Sequence, residues 1–108
     1  MLEVGYNDAK TVYADLTTIH KAGNRVKMWS MLDLQVADAT LPKPYLSMRM
    51  HNEFDCRGEQ YRFLASSNHS KKMGAGDMVY QNNSAAGWNQ APPDSAVRTL
   101  WKVACEKW

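Results

Sequence analysis

The segment Leu46 to Cys56 constrains this chain more than any other. Leu46, Met48, Met50, Phe54 and Cys56 fall on one side of a period-2 pattern, with Asn52 its only polar member. Tyr45, Ser47, Arg49, His51, Glu53 and Asp55 fall on the other side. Side chains of a strand alternate between faces, so the pattern predicts a half-buried antiparallel strand with Cys56 directed at the core. One apolar face must be covered, and the end of the chain can cover it. Pro92-Pro93 stops extended structure, and Asp94 or Ser95 supplies an N-cap. Val97, Leu100, Trp101, Ala104, Cys105 and Trp108 then recur at helical spacing, with Arg98, Lys102, Glu106 and Lys107 on the remaining surface. Leu100 and Trp101 are therefore expected to be buried against the sheet.

The rest of the chain reads as further strands. Leu2, Val4 and Tyr6 alternate with Glu3 and Gly5, and Val12 and Ala14 alternate with Thr11 and Tyr13 up to Asp15. After the turn signal Ala22-Gly23-Asn24, Val26, Met28, Ser30 and Leu32 face one way, and Arg25, Lys27, Trp29 and Met31 the other. Asp33 to Pro44 reads as a long surface loop. Arg57-Gly58-Glu59 is a tight reversal into a strand through Tyr61, Phe63 and Ala65, and Ser66 to Gly76 reads as a loop. Asp77 to Gln81 is a short strand and Asn82 to Gln90 another loop. The fold class predicted is α+β, with a sheet of about six antiparallel strands and one covering helix.

Length and composition set the bounds. The 108 residues make one domain, 1–108, and are too short for two. An apolar share of 44% suffices for one core, and no apolar run reaches the roughly 18 residues of a membrane span. A formal charge of +2, from 13 basic and 11 acidic residues, gives no reason to expect nucleic acid.

Cys56 and Cys105 can by count alone be a disulfide, two buried thiols, or a nucleophile and a bystander. If the helix packs on the sheet, however, their two apolar surfaces face each other and the sulfurs meet. A bridge closing a loop of about 50 residues is worth roughly 4 kcal/mol in the chain-entropy model. Disulfides persist in oxidising compartments, so a bridge would imply export. Residues 1–6 have neither a basic nor an apolar leader region. The expectation is a mature domain cut after a removed signal peptide, with Met1 supplied for expression.

Several stretches together resemble the bacterial surface-adhesin protein E family. They are Thr11-Val12-Tyr13-Ala14-Asp15, Asn24-Arg25-Val26-Lys27-Met28-Trp29, Phe54-Asp55-Cys56-Arg57, Tyr61-Arg62, Trp88 before Pro92-Pro93-Asp94-Ser95, and Lys102-Val103-Ala104-Cys105. The resemblance covers nearly the whole chain. It implies a bent antiparallel sheet and a C-terminal helix tethered to it by a Cys56–Cys105 disulfide. It also implies an exported protein of the periplasm, outer membrane or cell surface that binds extracellular or envelope proteins, with host matrix or serum proteins as partners.

Catalytic patterns are not expected. His51 points away from Cys56 on the strand, which leaves a cysteine nucleophile without its base. His51, Glu53 and Asp55 share a face, as polar residues on any solvated sheet face do. His20, His51 and His69 lack metal-ligand spacing, and no metal or cofactor is expected. The expected contact surface is Arg25, Lys27 and Trp29, with Lys71 and Lys72 in the glycine-bearing loop. Cations steer acidic partners and an aromatic supplies desolvated area. A small-ligand carrier, for haem as an example, and an uncharacterised envelope protein are the alternatives, and homodimerisation is left open. Exposed aromatics on a flat patch favour a protein partner, and a concave pocket favours a ligand.

Overall fold

The computed structural model describes residues 1–106; Lys107 and Trp108, read above as helix, lie outside the described residues. The strands are β1 (Leu2–Tyr6), β2 (Lys10–Ala22), β3 (Arg25–Asp38), β4 (Tyr45–Asp55), β5 (Gln60–His69), β6 (Met78–Asn82) and β7 (Asn89–Gln90). A 3₁₀ turn, Lys72–Gly74, follows β5, and helix α1 spans Ala96–Glu106. The sheet order is β1-β2-β3-β4-β5-β6, with β7 also on β5, and every pairing is antiparallel. The chain is thus an antiparallel meander closed by one helix, as the alternation predicts.

Three strands run further than their hydrophobic patterns suggest. β3 continues to Asp38 because Leu34 still pairs with Lys10 and the Gln35 amide donates to the Ala9 carbonyl. The register against β4 shifts between Asp33 and Asp38, which carries Val36 out into solvent and disguises the strand as a loop. The prolines then fall in the turn before β4. β5 continues to His69 through the polar run Ser66-Ser67-Asn68, because both β4 and β6 pair with it. β2 continues past Asp15 to Ala22 across an irregularity between Asp15 and His20. There the Thr18 hydroxyl accepts from the Trp29 amide at 2.9 Å and donates to the Asp15 carbonyl at 2.6 Å, standing in for the interrupted ladder. Neighbour pairing overrides local pattern at all three places.

The core forms where the helix meets the sheet. Val12, Ala14, Val26, Met28, Met50 and Phe54 present one sheet face, and Leu100 and Ala104 close over them. The N-cap is Ser95, whose hydroxyl accepts from the Arg98 amide at 3.1 Å and donates to the Pro92 carbonyl at 2.7 Å. Leu100 is fully buried, whereas Trp101 is only half-buried, short of the burial expected for it. Its indole donates to the Asp55 carbonyl at 2.9 Å and its outer face carries the Arg98 guanidinium at 4.8 Å. Cys56 and Cys105 are joined in a disulfide, with Cα atoms 5.5 Å apart. Ser30 and Asn52 stand within the buried face, and the Ser30 hydroxyl and both Asn52 amide atoms find no partner among the described residues.

Leu100→Ala should lower unfolding free energy by about 2–5 kcal/mol, the range for a buried leucine whose cavity cannot collapse. Urea unfolding measures this, and an unchanged midpoint would make α1 peripheral. Replacing both cysteines by alanine should cost roughly 4 kcal/mol in the chain-entropy model. Hydrogen exchange should then show the α1 amides opening first, and uniform loosening of the sheet instead would contradict the tether's local role.

Candidate functional site

The face turned away from α1 is built from long side chains on β3, β4 and β5. The β3–β4 register sets Arg25 opposite Asp55, Lys27 opposite Glu53, Trp29 opposite His51 and Met31 opposite Arg49. The imidazole of His51 lies flat on the Trp29 indole, ring centroids 4.7 Å apart and planes 4° from parallel. Arg49 places its guanidinium 5.5 Å from the Trp29 ring centre. Further along, the loop before β7 brings Trp88 to this face, with the Arg25 and Arg62 guanidinium groups each 5.0 Å from its ring centre. Arg62 also pairs with the buried Glu53 carboxylate at 2.7 Å. Two tryptophans are thus flanked by three arginines and a histidine, with Lys27 between them.

The carboxylates here are already engaged. Glu53 is held by Arg62, and Asp55 accepts from the Arg57 and Gly58 amides at 3.1 and 3.0 Å to shape the reversal. Asp15 accepts from Thr17, and that bond is the main cause holding its carboxyl below the usual range. The trio His51, Glu53 and Asp55 is therefore split among a ring stack, an ion pair and a turn. Arg25, Lys27 and Arg49 have no ion-pair partner within 4.0 Å among the described residues. Such a surface can offer delocalised cations and indole area to an acidic, aromatic-bearing partner.

Lys71 and Lys72 come to the same face at its other end. The 3₁₀ turn is pinned there by the Met73 amide on Asp33 Oδ1 and the Gly74 amide on Ser47 Oγ, both 2.8 Å. Lys72 Nζ lies 3.2 Å from Asp33 Oδ2 and donates to the Leu34 carbonyl, so this cation anchors the turn. Lys71 remains exposed. Met31, expected beside Trp29 on the polar face, is buried on that face next to the turn. Arg49, His51, Arg62 and Trp88 were not among the contact residues expected from sequence. The first three were visible as polar-face positions, but only the register brings them to Trp29 and Trp88.

The profile of the family described as surface-adhesin protein E matches residues 2–106. No curated protein sequence matches the chain. Among solved structures, crystal form II of Haemophilus influenzae protein E is similar, with TM-score 0.68, 11% identity and coverage of 99% of this chain and 94% of that one. A selenomethionine form of the same protein gives TM-score 0.68 at 10% identity, covering 100% and 97%. Protein E from non-typeable Haemophilus influenzae gives 0.64 at 12%, covering 97% and 74%. These likenesses show a shared fold.

Two histidines on this side titrate below the ordinary value of 6.5. Burial is the main cause for His51, Lys27 adds repulsion, and Glu53 pulls weakly the other way. Burial and then Arg49 act on His69, whose Nε2 lies 2.8 Å from Ser67 Oγ. A folded-state value below the unfolded one means that the unfolded chain binds more protons just under pH 6.5. Their stabilisation is complete above that pH and is lost as pH falls through the folded values. Tm should therefore drop on moving from about pH 7.5 to about pH 5.5. The drop should shrink in His51→Phe, which keeps a ring on Trp29. A Tm that rises on acidification would overturn this.

Proposed function

Because the chain belongs to the surface-adhesin protein E family, we propose that residues 1–108 form one exported, non-enzymatic binding domain of the bacterial envelope. It acts in the periplasm, at the outer membrane or on the cell surface, and its partners are extracellular or envelope proteins, with host matrix or serum proteins the first candidates. The observation carrying this reading is the stacked array of Trp29, His51, Arg49, Arg25, Arg62 and Trp88. Tryptophan and arginine are the residues that dominate binding energy in protein interfaces. Here they stand together, all but Trp88 on strands whose backbone holds them. A disulfide, which persists in oxidising compartments, supports export. No helix among the described residues is long and apolar enough to cross a membrane.

Arg25, Lys27 and Trp29 are the centre of the proposed contact surface, and Arg49 and Trp88 extend it. Lys71 serves as a steering charge at the rim, and Lys72 contributes through the turn it anchors. Surface plasmon resonance against immobilised matrix and serum proteins tests this. Trp29→Ala should weaken binding by about tenfold or more, mostly through faster dissociation. Lys71→Ala should chiefly slow association, with the difference fading at high salt. Binding no better than that of an unrelated basic domain would refute the adhesin reading. Binding that survives all of Arg25→Ala, Lys27→Ala and Trp29→Ala in folded protein would place the contact elsewhere.

A further inference from the structure

The helix covers the sheet unevenly. It packs on β1 to β4, and the β5–β6 half of the same face opens into a groove of about 330 Å³. Register sets its floor. Met48, Asn68 and Tyr80 stand side by side across β4, β5 and β6, and Ser66 and Asn82 form the neighbouring row. Phe63 and Tyr45 add two more rings to the wall.

We propose that this groove is a binding site for a neutral sugar residue, most simply the terminal pyranose of a glycan. None of its eleven lining residues is charged. The carboxylate beside it, Asp38, is already used by the Thr40 amide and hydroxyl at 2.8 and 2.7 Å and the Tyr45 hydroxyl at 3.1 Å. A charged ligand would therefore be desolvated without a counter-charge. A wholly apolar ligand fits no better. Asn68 is only 5% exposed and places its side chain in the groove wall. Ser66 adds a hydroxyl and Asn82 a second amide on the same wall. Covering the Asn68 amide, the Ser66 hydroxyl and the Asn82 amide with hydrocarbon would cost their desolvation with no new hydrogen bond in return.

A pyranose answers both requirements. Its hydroxyl edge pairs with amides and hydroxyls, and its C–H face lies on aromatic rings such as Tyr80, which is 45% exposed at the sheet edge. The volume is at the low end for small-molecule pockets, about 300–1,000 Å³, which suits one ring and not a chain of them. The site lies on the opposite face from Trp29, so it is independent of the protein-contact surface.

An array of neutral, sialylated and sulfated oligosaccharides, followed by titration of the best neutral one under amide NMR, tests this. Neutral glycans should bind, with shifts centred on Asn68 and Tyr80. Tyr80→Ala, a surface change that leaves the core intact, should weaken binding by about tenfold or more, as should Asn68→Ala where it stays folded. Trp29→Ala should leave it unchanged. No neutral glycan binding at millimolar concentration overturns the proposal. So does binding confined to acidic glycans, or shifts that map to Arg25 and Arg49. Binding of extended peptides along the free β6 edge in place of sugars would assign the groove to strand addition, and the proposal would fall.

Discussion

Everything else depends on α1 being held against the sheet. A single-layer meander buries nothing until something covers one face, and among the described residues eleven residues of helix do so. A helix this short is marginal on propensity alone. It is fixed at both ends. At the start Ser95 caps the first turn and Arg98 reaches the Glu59 carboxylate at 3.0 Å. Near the end the disulfide fastens Cys105 to the strand terminus, one residue after the Asp55 carbonyl that receives Trp101. Leu100 and Ala104 lie between these fixings, so the apolar contact is made by residues with little freedom left to lose.

The two faces of the sheet consequently solve different problems. The inner face is filled by methionine, valine and phenylalanine under the helix. Among the described residues the outer face has no second layer of helix or sheet, and its long polar side chains cover one another. Glu53 is the clearest case. It is 6% exposed on a face without a covering element, shielded by its pairing with Arg62, which in turn lies on Trp88. Stacked rings and guanidinium planes give this face cohesion, while the same groups stay available at its outer surface.

The chain's pattern made much of this legible. Strict alternation from Leu46 to Cys56 identified β4, and the phase of Cys56 against the stripe of Cys105 foretold the bridge. Where strands carry polar residues on both sides, as in Ser66-Ser67-Asn68, or bulge outward, as near Val36, the local pattern disappears, because pairing with neighbours holds the strand and not burial. The same reason hid the outer array. Arg25, Lys27 and Trp29 were visible on one strand, but Trp88 arrives from a loop and His51 from β4. Their meeting depends on register, which no single segment encodes. Asn52 stood out as a polar residue on an apolar face, and it is indeed fully buried, with no partner among the described residues.

The stacking of the outer array bears on how a nearly neutral protein could use the proposed contact surface. A free surface arginine carries about 2 kcal/mol of rotamer entropy, most of which is lost when a partner immobilises it. Arg25 and Arg62 on Trp88, and Arg49 on Trp29, are already restricted before any partner arrives, so less remains to be lost on contact. Their charge stays delocalised and weakly hydrated, which lowers the cost of bringing them into a desolvated interface. Lys71, by contrast, is exposed and its ammonium strongly hydrated, suited to long-range attraction more than to a buried contact. On the proposed contact surface steering and holding would thus be separated, with the exposed lysine at the rim and the preorganised arginine–tryptophan stacks at the centre. A modest net charge is no obstacle to this arrangement, because what the centre contributes is geometry and not total charge.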